Sequence, residues 1–155
     1  TVELCRRALE PMTSEIIHVG ELGQGLVMKL INNMMYKGNS IAAIEGMVLG
    51  VKAGLDPKMM LDVIGQSTGN SQAFQYRAPR MIERNFDGVR LDISYKDLEL
   101  ETGLGRSLMV PLFLPNVCMQ IFEMGRAAGL GDRDATAIVQ LYEQWTNATV
   151  GSDSA

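Results

Sequence analysis

The sequence predicts an all-α fold: a helical bundle built around one long helix near the N-terminus. Three observations carry this. Apolar residues recur at helical spacing from Leu22 to Ala53, without the alternation of a strand. Later segments carry helix start and stop residues: Asp56 followed by Pro57, Ser71 or Asn70, Gly129, and Asp132 or Asp134. Only one stretch, "EIIHVG" at 15–20, is β-branched enough to read as a strand.

In chain order, residues 2–10 read as a short helix closed by Pro11. "EIIHVG" follows as a strand with no partner. A lone strand leaves its N–H and C=O groups unpaired, so residues 1–20 are expected to be the tail of a preceding domain. The long helix then runs from about Leu22 to Ala53 and stops at Gly54. Gly38, Gly46 and Gly50 each weaken it by up to about 1 kcal/mol relative to alanine unless close packing requires them. Helices follow from Pro57, over about 72–84, over about 92–108, up to Gly129, and over 131–145. Residues 21–148 thus form the helical domain, and 149–155, "TVGSDSA" with its small polar residues, read as a disordered tail.

Composition narrows the function. A net charge of −4 argues against nucleic acid as a partner, because phosphate binding needs a basic face. No apolar run approaches the ~18 residues of a membrane span, and the N-terminus lacks the apolar core of a signal peptide. A cytoplasmic location is expected, with Cys5 and Cys118 as reduced thiols. His18 is the single histidine, so no metal site is expected. Eleven methionines at helix-face spacing read as adaptable core packing.

"GELGQGLVMKLINNMMYKG", residues 20–38, is the stretch with chemistry in it. At ~100° per residue, Gly25, Asn32, Asn33, Tyr36 and Ser40 all fall within about 60° of Lys29. They form one narrow polar stripe on a helix whose remaining surface is Leu26, Val27, Leu30, Ile31, Met34 and Met35. A helix so largely apolar is expected to be buried nearly all round, with Lys29 and Asn33 one turn apart at a partly buried cleft. A desolvated lysine exchanges protons near neutral pH. The asparagine one turn on offers both a donor and an acceptor to a substrate hydroxyl. Gly23 and Gly25 permit close approach of a ligand to the backbone, and the helix start favours an anionic group. The glycine order is not that of a dinucleotide-binding loop. The bland alternative is a solvated lysine with asparagines tying helices together.

"HVGELGQGLVMKLINN" closely resembles the G-x-x-G-x-G-x-x-x-K-x-x-N-N motif of the β-hydroxyacid dehydrogenase family, which includes 3-hydroxyisobutyrate dehydrogenase and tartronate semialdehyde reductase. "ISYKDLELE" (93–101) looks like that family's K-D-L-x-L-A segment, and "GLGDRDATAIVQLYE" (129–143) like its closing motif. The resemblance implies an N-terminal Rossmann domain that binds NAD or NADP, joined by a long helix to a helical domain, with substrate between the two. Residues 1–20 would be the last helix and strand of that Rossmann domain.

By the same resemblance Lys29 is the catalytic lysine and Asn33 orients the substrate, with Asn32 beside it. Lys96 lies near the nicotinamide end of the cofactor, and Asp97 borders the substrate pocket. Val89 stands seven positions before Lys96, where the family places a residue lining the pocket. Leu100–Glu101 replaces the family's Leu-Ala and is expected on an exposed helix position. The implied activity is hydride transfer between NAD(P) and a small 3-hydroxy acid or its semialdehyde, in a homodimer or higher homo-oligomer. Two alternatives remain. One is a non-catalytic helical dimerisation module. The other is a phosphogluconate dehydrogenase-like domain, which would need arginines at the cleft; the sequence does not place Arg77, Arg80 or Arg90 there.

Overall fold

In the computed structural model, which describes residues 2–151, seven α-helices and two short 3-10 turns follow in order. They are α1 (Val2–Leu9), α2 (Gln24–Lys52), α3 (Pro57–Gly65), α4 (Gln72–Ile82), α5 (Leu91–Ser107), α6 (Phe113–Ala127) and α7 (Val139–Thr146), with 3-10 turns at Glu10–Met12 and Ala135–Ile138. The described residues contain no strand; their only β pairing is an isolated bridge between Arg90 and Asp134.

Helix α2 is the axis of the molecule. Its 29 residues extend about 44 Å, and α3, α4, α5, α6 and α7 all pack against it. The core is Ile44, Met47 and Val48 of α2 with Phe74 and Met81 of α4, Leu91 and Leu98 of α5, Phe122 of α6, and Ile138 and Val139. Gly50 is required here: a Cβ would collide with the Met60 thioether of α3. Gly54, at φ +91°, takes the left-handed conformation that ends the helix.

The cap residues act as the sequence predicts. Asp56 accepts hydrogen bonds from the Lys58 and Met59 N–H groups, with Pro57 at the first helical position. The Ser71 hydroxyl accepts from the Phe74 N–H at 3.0 Å. Asp134 caps the turn at Ala135–Ile138 by accepting from the Thr136 N–H.

Three expectations need correction. "EIIHVG" forms no strand: its β-branched residues Ile17 and Val19 are exposed, and the described residues supply no neighbouring strand to complete a ladder. Helix α2 is not buried all round. Leu26, Met28, Ile31 and Met35 are exposed, because the other helices gather round the C-terminal two-thirds of α2. The tail does not fray at 149: Val150 is buried, and its N–H donates to Glu143 Oε1 at 2.8 Å. Residues 152–155 of the expected tail lie outside the described residues.

Candidate active site

The polar stripe of α2 faces α5, and the two helices meet through charge. Lys29 Nζ donates to Asp97 Oδ2 at 3.0 Å. Asn33 Nδ2, one turn along α2, donates to the same oxygen at 3.1 Å. Asp97 is thereby the junction of the two residues singled out for catalysis. Burial by itself raises the pKa of Asp97. The hydrogen bond and charge of Lys29, helped by Lys37 and Lys96, overcome that and hold the carboxyl below the usual aspartate range.

Asn33 and Asp97 line a cavity of about 350 Å³ between α2, α4 and α5. Tyr36 and Lys37 of α2, Tyr76 and Arg77 of α4, Ser94 of α5 and Asp134 complete its polar wall. Val89 lines it too. Lys29 stands at its rim, with half of its side chain exposed. The desolvated lysine expected from the apolar helix is therefore not found at Lys29: the first turns of α2 have no helix over them, and the ammonium is held by a carboxylate instead. Lys96 is also exposed, 3.8 Å from the other oxygen of Asp97. Asn32 is exposed and is not among the residues lining this cavity. Gly23 and Gly25 are exposed at the N-terminus of α2. Gly23 sits at φ +95°, with open space where a Cβ would be. A ligand at the helix start meets backbone there, more than a turn from Lys29.

The buried charges are elsewhere, and the sequence reading did not locate them. Lys37 donates to Glu101 of α5, and both side chains are almost wholly buried. This corrects the exposed position expected for Glu101; of the pair at 100–101, Leu100 is the exposed one. Burial raises the pKa of Glu101, and the Lys37 ammonium only partly offsets it. The spacing held a signal. Lys37 lies one turn from Asn33, and Glu101 one turn from Asp97, so the second pair repeats the first one turn further on. Arg77 is buried on the cavity wall and donates to Asp134, to Thr136 Oγ1 at 2.9 Å and to Ser40 Oγ at 3.3 Å. Its plane also stacks near Tyr36 and Tyr76. Arg80 stacks on Tyr76, and Arg90 pairs with Asp132.

Residues 23–142 match the family described as "NAD-binding of NADP-dependent 3-hydroxyisobutyrate dehydrogenase". The chain belongs to the β-hydroxyacid dehydrogenase family. A 2-(hydroxymethyl)glutarate dehydrogenase from Eubacterium barkeri is 37% identical over 150 residues, covering 96% of this chain and 50% of that protein. Among solved structures, a 3-hydroxyisobutyrate dehydrogenase from Salmonella typhimurium superposes with a TM-score of 0.83 at 27% identity, over 90% of this chain and 51% of the other. A protein titled Psf3, solved with NADP+ and 2-OPP, gives a TM-score of 0.74 at 26% identity, over 90% and 49%. The chain spans about half the length of the relatives it matches. These family relatives are oxidoreductases acting on hydroxy acids, and the family uses NAD(P).

Proposed function

We propose that this chain is the substrate-side helical domain of an NAD(P)-dependent dehydrogenase that interconverts a small 3-hydroxy acid and its semialdehyde. Residues 1–20 are the end of the Rossmann domain that completes the cleft. The observation carrying this reading is the convergence of Lys29 and Asn33 on one oxygen of Asp97 at the rim of a cavity of suitable size.

The bound cofactor supplies the hydride acceptor. The described residues fit its nicotinamide end: the exposed Lys96 ammonium stands beside the Lys29–Asp97 pair. They offer no strand and phosphate loop for the rest of a dinucleotide. Lys29 then takes the substrate hydroxyl proton during oxidation and returns it during reduction. Asp97 holds the Lys29 nitrogen on one side, so that it meets the substrate hydroxyl as the neutral amine in oxidation and as the ammonium in reduction. Asn33, held by the same carboxylate, keeps its amide oxygen available to the substrate hydroxyl. Val89 and Ile93 form the apolar flank of the cavity.

The exposed apolar residues of α2 (Leu26, Ile31 and Met35), with Met109 between α5 and α6 and Phe113 and Leu114 at the start of α6, are the faces we assign to domain and subunit contacts in a homodimer or larger homo-oligomer. The phosphogluconate-like alternative is disfavoured, because Arg77 is already bound to Asp134 and Thr136. The test is a screen of the full-length protein against small 3-hydroxy acids with both cofactors. Turnover of at least one such acid is expected. Turnover of none, with hydride transfer to other alcohols instead, overturns the substrate class.

A further inference from the structure

Lys37 is a charged residue of this cavity that the proton transfer does not use. It is buried one turn beyond Asn33, and its ammonium donates to Glu101. The pair has a direction. Lys37 lines the cavity that holds Asn33 and Asp97, whereas Glu101 lines an apolar groove on the far side, with Leu30, Met34 and Leu104. Lys37 therefore links the cavity wall to Glu101. An ammonium has three protons, and among the described residues this one donates only to Glu101.

The other charges around the cavity are engaged. Asp97 is held by Lys29 and Asn33, and Asp134 by Arg77 and Thr136. The Tyr36 hydroxyl stands on the same wall as Lys37. Burial raises its pKa against the opposing charge of Arg77, so it stays protonated and able to donate. Asp97 and Glu101 are four residues apart in α5, about 6 Å of axial rise. The Lys29 and Lys37 ammoniums are bound to these two carboxylates, which are one turn apart on α5. The volume of about 350 Å³ accommodates a carbon chain of that span.

The geometry points to a substrate with two anionic ends: a hydroxy dicarboxylic acid whose carbinol lies at Lys29 and whose distal carboxylate takes the remaining protons of Lys37. This rests on the Lys29 reading above and narrows its substrate class. In the full-length enzyme with cofactor, a 3-hydroxy dicarboxylic acid is compared with its distal monoamide, which keeps the shape and loses the charge. The diacid is expected to have a kcat/KM about tenfold or more above the amide, the effect of one charge-assisted hydrogen bond. The double variant Lys37→Met/Glu101→Met removes the pair without stranding a buried charge. It should bring the two substrates within about threefold of each other, with a melting curve confirming the fold. An amide as good as the diacid in the unmutated enzyme overturns the inference without any variant. So does a double variant that keeps the tenfold preference. Lys29→Ala separates the two claims. If it abolishes turnover of both substrates while their ratio in the unmutated enzyme is near one, the second anchor is wrong and the proton-transfer reading stands.

Discussion

At the scale of single residues, Asp97 organises the site, because one of its oxygens receives both Lys29 and Asn33. Its lowered pKa links the site to stability. A carboxyl whose folded pKa lies below its unfolded value, near 3.8, stabilises the fold above that pH and loses this contribution as pH falls through the folded value. Asp97→Asn should therefore flatten the acid side of the stability curve, below about pH 4. Urea denaturation between pH 3 and pH 6 measures it; an unchanged acid limb counts against a functional Lys29–Asp97 pair. In the full-length protein Asn33→Ala should alter both kcat and KM, as expected of the substrate-orienting role proposed for it. Lys96→Ala should mainly raise the apparent KM for cofactor; steady-state kinetics with each substrate varied in turn distinguishes them. Lys29, Asn33 and Asp97 were legible through the K-x-x-N-N and K-D-L segments. Lys37 and Glu101 were not: a helical wheel shows which residues share a face but not which neighbour buries it, and charged residues are seldom fully buried.

At the scale of elements, caps were the most legible feature, because they depend on residues within one turn. Asp56, Ser71 and Asp134 all accept N–H groups of the helix or turn they open. Ser71→Ala should cost about 1 kcal/mol of stability, read from chemical denaturation; no change would mean that tertiary packing alone sets the start of α4. The strand expected at 15–20 does not form: a strand needs a neighbour to pair with, and the described residues supply none. The buried pair between α2 and α5 makes a sharper prediction. Lys37→Met leaves Glu101 buried and unpaired, and should cost about 3–5 kcal/mol. Lys37→Met/Glu101→Met should be neutral or stabilising, since burying two charges costs about as much as their attraction returns. A double variant as unstable as the single one would show that the pair itself holds the helices together.

At the scale of the whole molecule, the helical architecture was legible from periodicity, while the exposed start of α2 was not. An apolar helix face reads the same whether it packs against its own chain or against another domain. Calorimetry on the 155-residue chain should show no NAD or NADP binding tighter than the millimolar range, because the proposed substrate-side role leaves dinucleotide binding to a Rossmann domain. Sedimentation at micromolar concentration should give at least a dimer; a clean monomer contradicts the subunit contacts assigned to the apolar face. The central claim is that Lys29 moves the substrate proton, and it is tested most directly by kcat of Lys29→Ala in the full-length enzyme. The account predicts a fall of about 10²–10⁴-fold with cofactor affinity hardly changed. A kcat within about threefold of the unmutated enzyme would contradict it, since that is far less than the loss of a general acid–base residue.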